Sequence, residues 1–517
     1  MRTLRGGGRA IVAAVAVAAL VAPTAAFAQT PGTPNVAGAA DVAAGWLAGQ
    51  FVDDERIETT FDGVTYPDHG VTADALLALA GAGSAGHTIE NATNWLAAEV
   101  GTYTGDGEGD AYAGATAKLA VVAGATGRDA TDFGGRDLVA QLLDLEADSG
   151  RFEDRSLWGD WSNVLSQSLA VIALERTTDA GPSAAAVDYL ADAACPDGGF
   201  PVAFGGACTP SADATGFAVQ ALLAAGEQDA AGAAVQWLLR TQSAQGSFGS
   251  PDAAANANST GLAGVALRVA GQRAAADAAA GWLARAQLDC TTDDAGALPF
   301  APAEPGDLTR ATAQGLPGLT GVGLLTVTTD GVSDAPVEVV CTPFADVDFR
   351  SPHARPITEL TAREVIEGYG DGTFRPGAAV TRAQLAALIG RAGGFTPATG
   401  PTDFPDVAAS QAHAGWIQAL ADADVVRGFQ DGTFRPGETV RRDQAAAILT
   451  RWLELAPREA DAFTDLAANV HRRDINALAH VEVARGTGDG TYDPARLLQR
   501  DQIASLLFRA LEFQDGA

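Results

Sequence analysis

The stretch from Trp237 to Phe248, WLLRTQSAQGSF, returns in altered form along most of the chain and limits the available folds more than any other feature. Aligned on its first residue, the copies start at Trp46, Trp95, Gln141, Tyr189, Trp237 and Trp282, so the steps are 49, 46, 48, 48 and 45 residues. A period of this size marks a repeat architecture, in which each unit buries its apolar face against its neighbours. Several copies then turn through a glycine followed two residues later by phenylalanine: Gly150 and Phe152, Gly198 and Phe200, Gly246 and Phe248. A second landmark lies between the copies, a hydroxyl residue opening an Ala/Leu-rich stretch that closes near a glycine. Thr72 with Gly83, Thr116 with Gly127, Thr215 with Gly226 and Thr260 with Gly271 fit, and Ser166 fits without the glycine. Two helices per repeat follow.

The first helix of each pair, such as AAADAAAGWLARAQ, carries apolar residues at mixed spacings of three and four. The second, such as TGFAVQALLAAG, is apolar on nearly every side, as a helix packed all round must be. Six such pairs close best as a double ring, because an open solenoid needs polar capping repeats that this sequence lacks. The expected fold class is therefore all-α, with a ring of about six helical hairpins over residues 29–342.

The period, together with Gln242, Gly246 and Phe248 and the weaker Glu146, Gly150 and Phe152, resembles the QW repeats of terpenoid cyclases and protein prenyltransferase subunits. The resemblance implies an α/α toroid. It does not carry the catalytic motifs with it. The cyclases' D-x-D-D acid has only the pairs Asp53-Asp54 and Asp293-Asp294 as counterparts, and the toroid offers His69 and His87 but no zinc-ligand set. We expect no cofactor, no metal and no catalytic residue. Paired carboxylates would serve glycoside hydrolysis, with Asp74, Asp110, Asp160 and Asp213 near inner-helix starts and Trp158, Trp161 and Tyr112 as stacking platforms. An aspartate at a helix start is more commonly a cap, and the hydroxyl set reads the same way. The candidate toroid pocket is Asp74, Lys118, Trp158, Trp161 and Asp213. Lys118, the one lysine of the chain, stands two residues after its landmark threonine as Asp74 does, which predicts an ion pair.

Residues 1–28 read as a secretory signal peptide: a basic start, the apolar run IVAAVAVAALVA and a small-residue end at Ala26-Phe27-Ala28. No later segment is apolar for long enough to span a membrane, so no membrane span is expected in the mature form. Residues 29–342 hold 40 acidic against 12 basic side chains and 343–517 hold 24 against 18; with +3 from the leader, the sum is the net −31 of the chain. Such a surface excludes nucleic acid as a partner. Four cysteines in an exported chain read as disulfides. Of the three pairings we favour Cys195 with Cys208, around the loop PDGGFPVAFGGA, and Cys290 with Cys341, tying the last repeat to the domain end.

After Cys341 the pattern changes. Three units open with F-x-D at Phe344, Phe404 and Phe463, carry His353, His413 and His471 before an apolar helix, and turn through GYGDGTFRPG, GFQDGTFRPG and GTGDGTYDPA. They close with VTRAQ at Val380, VRRDQ at Val440 and LQRDQ at Leu498, in steps of 58 to 60 residues. An arginine early in a helix combines a fixed fork of donors with the positive end of the helix dipole, which suits an anion. These units resemble S-layer homology (SLH) domains and divide at 343–397, 403–457 and 462–514. The resemblance implies a pseudo-threefold bundle whose grooves bind an anionic, often pyruvylated, secondary cell-wall polysaccharide. Arg382, Arg442, Arg500, Gln384, Gln444 and Gln502 are the binding candidates. Asp371, Asp431 and Asp489 read as turn formers. Thr381 becomes Arg441 and Gln499 in the other units, and the third turn has Asp493 where the others have Arg375 and Arg435, which makes the third groove the weakest. The whole reads as an exported protein of the cell wall or S-layer that displays a non-catalytic ligand- or glycan-binding toroid; the alternatives are a wall-anchored polysaccharide-acting enzyme, glycosidase or lyase, and a structural S-layer component.

Overall fold

The computed structural model describes residues 35–106, 109–250 and 253–516; the signal-peptide expectation at 1–28 lies outside them. The first half alternates helices in two layers. In chain order they are α1 (Val36–Ala48), α2 (His69–Ala82), α3 (Gly86–Ala98), the short α4 (Val100–Thr104), α5 (Ala113–Ala125), α6 (Leu138–Asp144), α7 (Val164–Thr177), α8 (Ala184–Asp192), α9 (Ala212–Ala224), α10 (Gln228–Thr241), α11 (Ala257–Val269), α12 (Arg273–Ala286) and α13 (Leu308–Thr320). Helices α2, α5, α7, α9, α11 and α13 each pack on the next, and α13 packs back on α2. These are the inner helices. The outer layer is α1, α3, α6, α8, α10 and α12, each seated over two inner ones. The double ring of six hairpins is closed, as the repeat predicts.

Local chemistry fixes the helix starts. Asp68, Ser211, Asn256 and Asp307 each cap an inner helix by accepting a backbone N–H from its first turn. Three landmark threonines, together with Thr312, tie their inner helices to the preceding turn, whereas Thr116 of α5 accepts from Gln141 Nε2 and donates to Tyr112 O. Thr215 Oγ1 accepts from Phe200 N at 2.9 Å, Thr260 Oγ1 from Phe248 N at 3.0 Å, Thr72 Oγ1 from Ile57 N at 2.9 Å and Thr312 Oγ1 from Leu298 N at 2.9 Å. In the third repeat that place belongs to Gln167, whose Oε1 accepts from Phe152 N at 2.9 Å. Ser166 instead serves the capping box of α7.

The glutamine of the repeat closes the outer layer. Gln242 Nε2 donates to Gly246 O and to Ala275 O of the neighbouring outer helix, both at 2.9 Å. Gln287 repeats the arrangement across the seam, reaching Gly296 O at 2.8 Å and Ala39 O of α1 at 2.9 Å. Gly246 lies at φ +97°, and a Cβ there would stand 2.2 Å from Ala278 O, so only glycine lets the turn approach the next helix. Short two-stranded hairpins decorate the rim at the inner-helix starts: β1 (Glu58–Phe61) with β2 (Val64–Pro67), and β3 (Phe200–Pro201) with β4 (Pro210–Ser211).

The other end of the ring is crossed by a strap, residues 321–335. Arg176 of α7 donates to Leu324 O and Leu325 O at 2.8 and 2.5 Å and also to Val327 O, and Gln220 of α9 accepts from Leu324 N at 3.0 Å. Thr329 N reaches Ala125 O at the end of α5, and Ser333 N reaches Gly83 O at the end of α2, each at 3.0 Å. The disulfides are Cys195–Cys208 and Cys290–Cys341. The second encloses α13 and the strap.

The second half holds three helix pairs: α14 (Ala354–Ala362) with α15 (Arg382–Ala392), α16 (Ala414–Asp422) with α17 (Arg442–Trp452), and α18 (Arg472–His480) with α19 (Arg500–Gly516). Val380, Val440 and Leu498 meet at the axis in a closed cycle of backbone bonds. Val440 N donates to Val380 O, Leu498 N to Val440 O and Val380 N to Leu498 O, at 2.9, 2.8 and 2.9 Å. No helix among the described residues is long and apolar enough to cross a membrane.

Candidate functional site

A cavity of about 440 Å³ occupies the middle of the toroid. Its walls change along the ring axis. Near the inner-helix starts they carry Asn163, Ser166, Asp213, Asp74, Lys118 and Gln314; deeper lie Leu77, Leu169, Phe217 and Val265; and Val322, Leu324 and Val327 of the strap form the floor. Small inner-helix residues such as Gly114 and Ala313 leave this space open.

The predicted ion pair is present: Lys118 Nζ donates to Asp74 Oδ1 at 2.6 Å. Burial alone would lower the Lys118 pKa, but the Asp74 carboxylate more than offsets it and the ammonium is held above its ordinary value. Gln314 Nε2 donates to the other Asp74 oxygen at 3.3 Å, and Gln314 Oε1 accepts from Asn258 Nδ2 at 2.6 Å. Asp213 differs: its Oδ1 is buried with no hydrogen-bond partner among the described residues. Burial pushes its carboxyl up, partly countered by the Ser259 hydroxyl.

Trp158 and Trp161 stand outside this cavity, 78% and 74% exposed on the rim loop ahead of α7. Trp161 Nε1 donates to Trp158 O at 3.1 Å, and the loop base is held by Asp160 against Arg151 and by Asp154, which accepts from Ala113 N and Trp161 N. Asp110 lies on a neighbouring rim loop, accepting from Leu157 N at 3.3 Å. His69 is stacked on Trp95 and Tyr103, with ring centroids at 4.6 and 5.5 Å.

In the bundle each unit docks the start of its second helix on the turn of another unit, in a cycle. Arg382 Nε donates to Phe434 O at 2.7 Å and its Nη2 to Arg427 O at 3.1 Å; Arg442 Nε donates to Tyr492 O and Arg500 Nε to Phe374 O, both at 2.8 Å. The backbone N–H groups of Arg382 and Ala383 are taken by Glu438 O and Pro436 O, with equivalent bonds at Arg442 and Arg500. The helix-start donors that spacing had offered to an anion are thus already used between units. Gln384, Gln444 and Gln502 each turn a side-chain oxygen back to the N–H three residues earlier, closing the helix start. The F-x-D aspartates hold the turns: Asp406 accepts from Phe434 N and Arg435 N, and Asp346 and Asp465 do likewise. Arg375, Arg435 and Asp493 each adopt φ near +57°, which this clamp sustains.

The three junctions differ. Beside Arg382 lies a cavity of about 190 Å³ lined by Arg427, Phe429, Gln444, Arg451 and His471, with no carboxylate in its wall. Asp424 backs Arg427 from outside, at 2.6 Å. Arg382 is packed over Phe429 and Phe434, at 4.8 and 4.5 Å from the ring centroids. At the Arg500 junction Tyr369 and Phe374 play those parts, but Glu367 takes the place of Arg427 and lies 3.7 Å from Arg391. At the Arg442 junction only Tyr492 remains under the guanidinium, because Thr487 replaces the second aromatic ring. The residues that sequence reading missed are Arg427, Arg451 and Phe429; the signal was the residue flanking each glycine-rich turn.

A family model described as the S-layer homology domain matches residues 343–386 and 403–446. The bundle is thus built on S-layer homology repeats, the mark of a cell-wall-anchored surface protein. The third unit repeats their geometry. An endoglucanase of Bacillus sp. (strain KSM-635) is 31% identical over 177 residues, covering 32% of this chain and 18% of that protein. A cellulosome-anchoring protein of Acetivibrio thermocellus is 30% identical over 148 residues, covering 27% and 31%. The chain therefore spans under a third of either relative. Among solved structures, a type II terpene cyclase from Scytonema in complex with geranylgeranyl dihydroxybenzoate is 18% identical, with a TM-score of 0.43, covering 55% of this chain and 96% of that one.

Proposed function

We propose that the bundle, with residues 462–514 as a third repeat, holds the protein non-covalently to an anionic secondary cell-wall polysaccharide, and that the toroid is a non-catalytic ligand-binding domain displayed there. The observation that carries the anchoring is the Arg382 junction: three guanidinium groups and His471 face one cavity over an aromatic floor, without a carboxylate in its wall. A pyruvylated or phosphorylated glycan matches that chemistry. The Arg500 junction, neutralised by Glu367, and the Arg442 junction, stripped of its second ring, are the weaker sites. A non-catalytic toroid is supported by Asp74, whose two oxygens are occupied by Lys118 and Gln314, leaving no free carboxylate pair in the cavity. Co-sedimentation of residues 29–517 with purified walls tests the anchoring. Chemical extraction of the secondary polymer should abolish sedimentation, and undiminished pelleting with extracted walls would refute the reading.

A further inference from the structure

Leu157, Trp158 and Trp161 put three large apolar side chains into solvent within five residues, on the rim loop ahead of α7. Such a patch on a folded domain marks a contact surface. The loop is braced to hold it out. Arg151 at its base pairs with Asp160, donates to Ser162 Oγ at 3.0 Å and stacks 5.1 Å from the centre of the Phe204 ring. Phe204 belongs to the loop that the Cys195–Cys208 disulfide closes, and Val202 O of that loop accepts from Val164 N at 3.0 Å. On the other flank Arg155 and Ala111 exchange two backbone bonds, at 2.7 and 2.9 Å. Trp161 Nε1, the polar handle of its ring, is taken by Trp158 O. What faces a visitor is therefore a pair of flat ring surfaces in polar ground, with Ser156 under Trp158 N, Asp160 at the loop base and Asp110 against Leu157 N. A platform preformed in this way costs a ligand little ordering entropy.

That surface selects its partner. A bilayer, or the apolar face of another protein, requires a continuous patch, and Asp160 interrupts this one between the two tryptophans. An anionic ligand meets a domain whose residues 29–342 hold 40 acidic against 12 basic side chains. A sugar ring satisfies both conditions, because its C–H face is apolar and lies flat on an indole while the hydroxyls at its edge donate to neighbouring carboxylates. Resting on the reading of the toroid as a ligand-binding domain, we propose that its ligand is an uncharged glycan strand, bound on the rim across Trp158 and Trp161 and outside the central cavity. The two halves of the chain then hold two chemically different polysaccharides, an anionic one through arginine in the bundle and a neutral one through aromatic faces on the toroid.

Isothermal titration calorimetry of residues 29–517 with cellotetraose, an N-acetylglucosamine tetramer, a galacturonic acid tetramer and phosphatidylcholine vesicles tests this. A neutral tetramer should bind one per chain, at least about tenfold tighter than the uronate. Trp158→Ala should weaken that binding by about tenfold or more, and Trp158→Phe, which keeps a flat face, should restore most of it. Circular dichroism and the urea midpoints should be unchanged in both variants, since the Trp158 ring is 78% exposed. Equal affinity of the parent chain and Trp158→Ala for a neutral tetramer overturns the rim site while leaving the toroid reading standing, and so does uronate binding as tight as the neutral sugars. Vesicle binding that Trp158→Ala removes, with no tetramer bound, also overturns the proposal, because the loop then serves a lipid surface. No binding of any probe counts against both readings.

Discussion

The toroid and the bundle are both closed rings of repeated helix pairs, yet one is hollow and the other is full. Six inner helices stand around an axis too wide for their own side chains to fill, and the residues facing it include Gly114 and Ala313, so a cavity remains. Three units around an axis leave no such room: Val380, Val440 and Leu498 meet there and are at most 1% exposed. Binding chemistry in the bundle is consequently pushed out to the junctions between units. The lesson is that repeat number decides where a ring keeps its site, and the closing residues decide whether that site survives. In the toroid, closure is done by glutamines in the outer layer, away from the cavity. In the bundle, closure is done by Arg382, Arg442 and Arg500, whose side chains are also the walls of the grooves.

That difference can be broken at several points. The largest effect belongs to the Cys290–Cys341 disulfide, which spans 51 residues and encloses α13 and the strap. Replacing both cysteines by serine should cost the toroid about 4 kcal/mol in the chain-entropy model, read as a lowered urea midpoint of the toroid transition with the bundle unchanged. Arg382→Ala should cost the bundle about 3 kcal/mol, because it strips charged donors from the buried carbonyl of Phe434 and the part-buried carbonyl of Arg427, and should leave the toroid transition in place. For that reason, loss of wall binding on replacing the arginine trio would report unfolding as much as contact.

Alkali acts on both rings, on the toroid through the raised Lys118 ammonium and Tyr103 phenol and on the bundle through Tyr492. Burial pushes the Tyr492 phenol up to about 12, so its share of stability is complete below the ordinary tyrosine pKa and is lost as pH rises from about 10 to 12. Tyr492 alone should cost the bundle about 3 kcal/mol over that window, opposed by Arg509, which burial lowers, and Tyr492→Phe should remove the Tyr492 part of the slope while costing the bond to Arg442 O. A Gln287→Leu change at the toroid seam should cost about 2 kcal/mol, since Gly296 O and Ala39 O lose their donor inside the outer layer. It should also increase hydrogen exchange in α1 and α12 before the other helices. The smallest effect is expected in acid. Asp371, Asp431 and Asp489 are held at about 2 by the hydroxyls of Thr373, Thr433 and Thr487 and by backbone N–H groups. Their contribution is present above the ordinary carboxylate range and fades as pH falls from about 4 towards 2, which exposed positions keep small.

Much of this was legible in the sequence because periodicity is read along the chain. The period gave six hairpins, the Asp74–Lys118 pair followed from matching registers, and the favoured cysteine pairing is the one present. Where the reading slipped, the missing information was spatial. Ser166 matched the threonine landmark by type, but the residue with the right reach is Gln167, whose longer side chain fills the same role one position on. The strap has no periodicity, and its part depends on meeting four inner helices remote in sequence. Sequence places Trp158 and Trp161 with the cavity as stacking platforms beside the carboxylates near the inner-helix starts, yet the loop turns them outward. The arginine trio is legible in the repeated closing motifs and the family resemblance, while the direction of each guanidinium, inward to a neighbouring turn, is fixed by a unit about 50 or more residues away.

The most direct test of the anchoring account is the partition of the intact chain between buffer and purified walls, compared with Arg427→Glu. Arg427 is the exposed member of the Arg382 junction, its side chain paired among the described residues only with Asp424, so the change reverses a groove charge without removing an interunit bond made by that side chain. The account predicts an unchanged bundle transition and wall affinity reduced by about tenfold or more. Equal affinity in the two proteins, with both folded, would contradict it.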